Sequence, residues 1–331
     1  MYKPRVLLTD PLHPDAQARL SQWAEVERIP DGLVREGSDD FLRTAMARVQ
    51  GLVVRRLLPP DLFDRPHTLR CVMRQGVGLD FIPVPRATAN GIPVGNTPAV
   101  NANAVAEYVF AALLAHARQL AAFDQRVRAG DWGVRAQAGA RTFELRGRTL
   151  GVIGFGAIGQ RIAAIAHQGF DMPVAVCTGT PGKVPPCFTA LPLEALFAAS
   201  DFVVVACPLT PQTRGMVDAR VLAHARPGAV LVNVGRGPVV REDDLAQALA
   251  DQQLGGAVLD VFETQPLPDD STLRRHPRVL LTPHLAGITQ EAERAMGVLA
   301  VDTLAAVLLR GERPPNIVNP EVFGQPARAS D

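Results

Sequence analysis

Short apolar runs alternate with longer polar stretches along the whole chain, and the character of the runs changes after its first third. Residues 5–8, 51–54, 69–73 and 91–94 are apolar runs of strand length, separated by polar segments that suit helices, which predicts one small α/β unit. From Val100 to about Ala129 there is neither Gly nor Pro, and Val105, Val109, Leu113 and Leu114 fall at helical spacing. One long helix is therefore expected to leave that unit. A second series begins at Arg148, with apolar runs at 149–153, 173–177, 201–206, 229–234, 256–261 and 279–282. Continuous rather than alternating apolar character means strands buried on both faces. Most of these runs are followed by helix-compatible stretches, such as 158–166, 218–223 and 242–250, which is the alternation of a doubly wound parallel sheet. After His284 the pattern predicts a helix over 289–310 and then a Pro-rich tail at 314–320. That helix is expected to cross back over the first unit and make it discontinuous in sequence.

At 331 residues the chain exceeds one typical core, so two domains with a cleft between them are expected. With 47% hydrophobic and 20% charged residues it has the make-up of a soluble globular protein. Its 34 basic and 33 acidic residues are spread along the chain and give no footprint for a polyanion, so nucleic acid is not the expected partner. Cys71, Cys177, Cys187 and Cys207 show no C-x-x-C pair and no ligand spacing, which points to reduced thiols and no metal site. The N-terminus lacks the apolar stretch of a secretory signal, and no run of about 18 apolar residues occurs. A cytoplasmic location without a membrane span is expected.

Residues 149–159 place G-x-G-x-x-G directly after a predicted strand and at the start of a predicted helix. In that context Gly154 permits the tight turn, Gly156 lets backbone amides reach a pyrophosphate, and Gly159 lets helix and strand pack closely. The amides of Ala157 and Ile158, which open the helix, belong to the same cradle. The second series is thus a Rossmann-type domain for a dinucleotide. An acidic residue at the end of the second strand ordinarily binds the ribose hydroxyls of NAD. Thr178 stands there instead, nineteen residues beyond Gly159, followed by Gly179-Thr180-Pro181-Gly182-Lys183. Hydroxyls and a cation tolerate or attract a 2′-phosphate, so NAD and NADP both remain open as the cofactor.

Three later strand ends carry charged or titratable residues at the carboxyl edge of the sheet, where such folds gather their sites: Arg236, Asp260 and His284. Any one of them is readily a solvated loop residue. Three at successive strand ends behind a dinucleotide fingerprint point to chemistry. Arg55, at the end of the strand 52–54, is a further candidate for contact with substrate.

With these residues in place the chain resembles the D-isomer-specific 2-hydroxyacid dehydrogenase family along essentially its whole length. The matching segments are Gly76-Val77-Gly78-Leu79-Asp80, Asn96-Thr97-Pro98, Val105-Ala106-Glu107, 154–159, Pro208-Leu209-Thr210-Pro211, 233–237, 259–262 and Thr282-Pro283-His284. The resemblance implies two Rossmann-like doubly wound parallel-sheet domains. A flavodoxin-like substrate domain would comprise 1–98 plus 288–331, an NAD(P)-binding domain 99–287, and the helix after Val100 would help form a homodimer. It implies hydride transfer between NAD(P)H and a small 2-keto acid. Arg236 would clamp the substrate carboxylate, a role suited to a planar, permanently charged fork. His284 would be the general acid/base. Val77 and Gly78 would offer amides to the carboxylate, and Asn101 matches a polar substrate-loop position. Asp260 would hold the nicotinamide carboxamide, while Pro208, Thr213, Val234, Gly235 and Gly287 would line the cofactor.

One position departs from the family pattern, which has Glu immediately before Pro266 to hydrogen-bond the histidine. Here Gln265 takes that place. An anionic neighbour favours imidazolium, whereas a neutral amide orients the ring without supplying charge. Glu263, two residues earlier, reads as a loop carboxylate rather than a substitute. Formate dehydrogenases, a branch of the same superfamily, resemble this chain in having Gln before that Pro. Formate-type hydride transfer and a non-catalytic NAD(H)-sensing protein of the corepressor type are the alternative functions. The keto acid itself stays open among glyoxylate, hydroxypyruvate and aliphatic or aryl 2-keto acids.

Overall fold

The computed structural model describes residues 3–324. Residues 325–331 of the expected C-terminal segment, like Met1 and Tyr2, lie outside the described residues. The chain divides into two units, Met1–Asn101 with Ile288–Asp331 and Ala102–Gly287.

In the first unit β1 (Arg5–Leu8), β2 (Glu25–Arg28), β3 (Gly51–Val54), β4 (Cys71–Arg74) and β5 (Val94–Gly95) form an all-parallel sheet in the order β2-β1-β3-β4-β5. This is the flavodoxin-like order. Side-chain alternation divides the strands between two cores. Leu7, Leu52, Val54 and Val72 pack with Leu42, Met46 and Phe63 on one face, while Val6, Leu8, Val53, Cys71 and Met73 meet Ala300, Val301 and Leu304 on the other. Each such Leu or Val taken fully out of water is worth about 1.5–3 kcal/mol. The helices are α1 (Pro14–Ser21), α2 (Arg35–Ala45), α3 (Val84–Ala89) and the C-terminal helix Gln290–Arg310, which returns to cover the second face. Thr289 caps that helix by accepting from the Ala292 amide, and Gly311 ends it at φ 64°.

Two expectations for this unit need correction. The strand Glu25–Arg28 carries no apolar run, because it is the outer strand of the sheet and its charged side chains face solvent. The predicted strand over 91–94 shrinks to Val94–Gly95, since Gly91 at φ 70° still belongs to the turn that ends α3.

In the second unit β6 (Leu150–Ile153), β7 (Val174–Cys177), β8 (Thr189–Ala190), β9 (Phe202–Val205), β10 (Ala229–Asn233), β11 (Leu254–Leu259) and β12 (Val279–Leu281) are parallel, in the order β12-β11-β10-β9-β6-β7-β8. The chain winds outward from β6 to β8, then returns to β9 and winds the other way. The switch point therefore lies between β6 and β9, where a doubly wound sheet binds ligand at its carboxyl edge. The helices are α4 (Ala102–Arg118), α5 (Leu120–Arg128), α6 (Ala138–Arg141), α7 (Ala157–Phe170), α8 (Leu193–Ala199), α9 (Ala219–Leu222) and α10 (Glu242–Ala250). α4 packs on α7, with the Phe110 and Phe170 rings stacked at 4.9 Å.

The single helix expected from Val100 is in fact two, broken at Gln119, whose backbone turns left-handed at φ 49°. No Gly or Pro marks that break. The outermost strand β12 is only half buried, and β8, two exposed residues long, escaped the apolar pattern altogether. All four cysteines are free thiols. No described helix is long and apolar enough to cross a membrane.

Candidate active site

The fingerprint glycines separate into two that the fold requires and one that it does not. Gly154 turns at φ 95°, and a Cβ there would lie 2.7 Å from the Cys207 backbone in the loop that follows β9. A Cβ on Gly159 would lie 2.0 Å from the Gly154 carbonyl oxygen, so only glycine lets α7 sit this close to β6. A Cβ on Gly156 would meet nothing within 4 Å. Gly156 also caps α7 with no side chain on the helix end, which leaves the amides of Ala157, Ile158 and Gly159 without intrahelical acceptors. An uncapped helix terminus of fourteen residues beside open space at the switch point suits a pyrophosphate.

Around this cradle, Thr178 is half-buried after β7, and its hydroxyl accepts from the Thr180 amide at 3.3 Å; Lys183 is exposed in the short turn Pro181–Lys183. Thr213, assigned from sequence to the cofactor, has its hydroxyl engaged within its own loop. It donates to the Pro208 carbonyl at 2.7 Å and accepts from the Thr210 amide at 2.8 Å, which fixes the turn that carries Pro208. Val234 is buried, and a Cβ on Gly235 would lie 2.9 Å from the Cys207 carbonyl oxygen. Gly287, half-buried, closes the unit.

Arg236 is held out by a residue that sequence reasoning did not single out. Asn233, the last residue of β10 and 1% exposed, accepts from the Gly235 amide and donates to the Arg236 carbonyl, both at 3.1 Å, and so folds the turn. Its signal was a polar residue ending an otherwise apolar strand. Arg236 is half-buried, and its Nη1 donates to the Gly235 carbonyl at 2.8 Å. A Cβ on Gly237 would overlap the Phe262 carbonyl carbon at 1.9 Å, so this loop is seated on the one that follows β11.

Asp260, 1% exposed, ties down the loop of His284. Its carboxylate accepts from the Thr282 hydroxyl at 2.7 Å and from the Leu285 and Ala286 amides at 2.8 and 2.9 Å. The Thr282 hydroxyl also pairs with the Tyr108 phenol, whose pKa is raised, chiefly by burial. His284 lies at φ 57°, a left-handed conformation uncommon for a residue with a side chain, and its amide donates to the Thr282 carbonyl at 3.0 Å.

The imidazole Nδ1 lies 3.0 Å from Gln265 Oε1. Gln265 Nε2 donates to the Phe262 carbonyl at 3.4 Å, which turns Oε1 toward the ring. An amide oxygen only accepts, so Nδ1 carries a proton and Nε2 is the nitrogen that can exchange one with a ligand. Glu263 does not substitute for the missing acid. Its carboxylate accepts from the Glu242 amide at 2.9 Å, and the Glu242 carboxylate accepts in turn from the Glu263 amide. Burial foremost, and then repulsion from Glu263 and Asp243, push the Glu242 carboxyl above its ordinary range against the Glu263 hydrogen bond.

In the first unit the loop Gly76-Val77-Gly78 has its carbonyls anchored. The Thr97 amide donates to the Gly76 carbonyl at 3.1 Å, and Asn96 Nδ2 donates to the Val77 carbonyl at 2.8 Å. A trans peptide points its N–H opposite to its C=O. The Val77 and Gly78 amides therefore face away from residues 96–97, and neither has an acceptor among the described residues. Asn101 Oδ1 is buried without a hydrogen-bond partner. Arg55 is ion-paired with Glu293 of the C-terminal helix at 2.7 Å, so its guanidinium is already engaged. Among the described residues no group of His, Cys, Asp and Glu could hold a metal.

The chain is similar to known proteins over nearly its full length. Residues 110–286 match the family described as D-isomer specific 2-hydroxyacid dehydrogenase, NAD binding domain. The chain is 37% identical to a glyoxylate reductase of Pyrococcus furiosus over 334 residues, covering 97% of each chain. It is 34% identical to a glyoxylate/hydroxypyruvate reductase B of Pectobacterium carotovorum over 325 residues, covering 97% of this chain and 99% of that one. Among solved structures, the NADPH-dependent glyoxylate/hydroxypyruvate reductase of Sinorhizobium meliloti, in complex with NADP and malonate, superposes with a TM-score of 0.83 at 36% identity, covering 96% and 98% of the two chains. With a dinucleotide cradle at its switch point and this likeness over nearly its full length, the chain belongs to the D-isomer specific 2-hydroxyacid dehydrogenase family of NAD(P)-dependent oxidoreductases.

Proposed function

We propose that this protein reduces glyoxylate, hydroxypyruvate or a 2-keto acid of similar size. The observation that carries the proposal is the loop of His284, pinned by Asp260 and with its imidazole set by Gln265. When bound, the nicotinamide supplies the hydride. The amides of Ala157, Ile158 and Gly159 hold the pyrophosphate, and Pro208, Val234, Gly235 and Gly287 line the rest of the cofactor. Arg236 binds the substrate carboxylate with a bidentate fork, and the Val77 and Gly78 amides offer it two further donors. His284 donates the Nε2 proton to the keto oxygen as the alcohol forms. Asp260 acts mainly by holding the loop of His284, and the half-buried Asn101 stays assigned to substrate. A panel of 2-keto acids together with formate, each assayed with both dinucleotides, tests the proposal. Turnover of glyoxylate or hydroxypyruvate is expected, and oxidation of formate alone would overturn it.

NADP(H) is the proposed cofactor. No carboxylate stands at Thr178 to repel a 2′-phosphate, Lys183 supplies a cation five residues on, and the Sinorhizobium relative is NADPH-dependent. Fluorescence titration is expected to give the lower dissociation constant for NADPH; NADH binding tenfold tighter would reverse the assignment.

A homodimer is proposed through the region after Val100. α5 buries none of its residues, and Leu120, Val127 and Trp132 are 56%, 46% and 73% exposed. A short helix with no buried face has little reason to hold its shape alone, and a second copy would cover it.

Replacing Gln265 by Glu is expected to move the pH profile of glyoxylate reduction. Reduction needs protonated His284, so kcat/KM falls as pH rises through the imidazolium pKa. An anion at the Oε1 position stabilises imidazolium and delays that fall, moving the limb to higher pH. An unmoved limb in the Gln265→Glu profile would mean that the two side chains are uncoupled in solution.

A further inference from the structure

The carboxylate cradle proposed above relies on the Val77 and Gly78 amides, and the structure also indicates what shapes the loop that carries them. We propose that Arg74 is the positioning residue of the substrate-carboxylate loop, a buried cation around which residues 75–78 fold. The proposal rests on the assignment of that loop to the carboxylate.

Arg74 is the last residue of β4, and the alternation of the strand places it on the same face as Val72, which belongs to an otherwise apolar core. Its side chain is buried, with the residue 9% exposed. A charge in such a place is tolerated only when its donors are satisfied. Nη1 donates to the Val54 and Gln75 carbonyls, both at 2.9 Å, and Nε donates to the Gly78 carbonyl at 3.2 Å. The guanidinium lies 4.5 Å from the centroid of the Phe81 ring, which fixes its plane.

Two of those carbonyls, Gln75 and Gly78, bracket the loop on either side. A Cβ on Gly76 would sit 3.2 Å from the Arg74 guanidinium carbon, and Gly76 adopts φ 143°. Glycine at 76 is thus what lets the chain close over the cation. The carbonyls at both ends of the loop turn inward to Arg74, while Thr97 and Asn96 hold the two carbonyls between them. All four peptides are fixed before any ligand arrives, and a fixed positive charge lies beneath amides assigned to a carboxylate. Donors set in advance bind an anion without reorganising. Three acceptors in different directions need a planar fork, which a lysine ammonium does not provide.

Kinetics of the full-length Arg74→Met and Arg74→Lys proteins test the proposal, alongside Arg236→Ala. In Arg74→Met the KM for glyoxylate is expected to rise about 10- to 100-fold, the scale of one or two charge-assisted hydrogen bonds, with a smaller change in kcat. The NADPH dissociation constant is expected to stay within about twofold, because the cofactor cradle belongs to the other unit. Arg74→Lys, which keeps the charge and loses the fork, is expected to fall between Arg74→Met and the parent. It also decides the matter if Arg74→Met does not fold. A glyoxylate KM equal to the parent's in either folded variant overturns the proposal, as does a parallel loss of KM, kcat, cofactor affinity and thermal stability. If Arg236→Ala also leaves the glyoxylate KM unchanged, the carboxylate assignment itself has failed. If only the Arg74 variants are silent, the positioning role alone has failed.

Discussion

The Arg236→Ala protein is expected to reduce glyoxylate with a kcat/KM about 100- to 1000-fold lower than the parent, while NADPH binds with a dissociation constant within about twofold. The magnitude follows from deleting one partner of a desolvated charge pair, about 3–4 kcal/mol, in which each 1.4 kcal/mol is a factor of ten. The selectivity follows from the architecture. The turn that carries Arg236 is folded by Asn233 and seated through Gly237 against the Phe262 carbonyl. None of those contacts uses the Arg236 side chain, so the turn survives its loss. The pyrophosphate amides lie on a different loop, between β6 and α7, and keep their arrangement. Arg236→Lys separates charge from geometry: it restores the cation but not the two parallel donors, and should recover only part of the loss. An Arg236→Ala protein with parental kcat/KM would remove the arginine from the substrate.

How much of the molecule is legible in its sequence depends on whether a feature is local. The β-α alternation of the second unit, the bounds of the helix Glu242–Ala250 and the fingerprint glycines are readable, because each depends on burial or backbone shape within a few residues. The outer strands β2 and β8 are not, since a strand with one open edge and solvated side chains carries no apolar run. Gln119 is equally silent, as nothing in its neighbourhood requires a left-handed residue. The charged strand ends are visible as residues but not as partnerships. Asp260 reads as a cofactor ligand, and the fold also has it holding three groups of the 282–286 loop, a pairing across more than twenty positions that no spacing rule reveals. Arg55 reads as a candidate for substrate, and its ion pair with Glu293 joins residues 238 positions apart.

Exchanging His284 for Asn is expected to lower kcat for glyoxylate reduction by about 100- to 10,000-fold, the usual contribution of a positioned general acid. Asn is the informative replacement because the residue sits at φ 57°. Asn tolerates the left-handed region better than Ala, so the exchange removes proton transfer without adding backbone strain. The loop should keep its place, since Asp260 grips it through the Thr282 hydroxyl and the Leu285 and Ala286 amides, none of which belongs to the histidine. Cofactor affinity should therefore change little, and the loss should fall on kcat. The residual rate should also lose the pH limb set by the imidazolium, since an Asn side chain has no titratable proton. A His284→Asn protein that keeps kcat within tenfold of the parent, or keeps the same pH limb, would show that the proton comes from elsewhere. The Gln265 contact would then serve only to fill the space beside the ring.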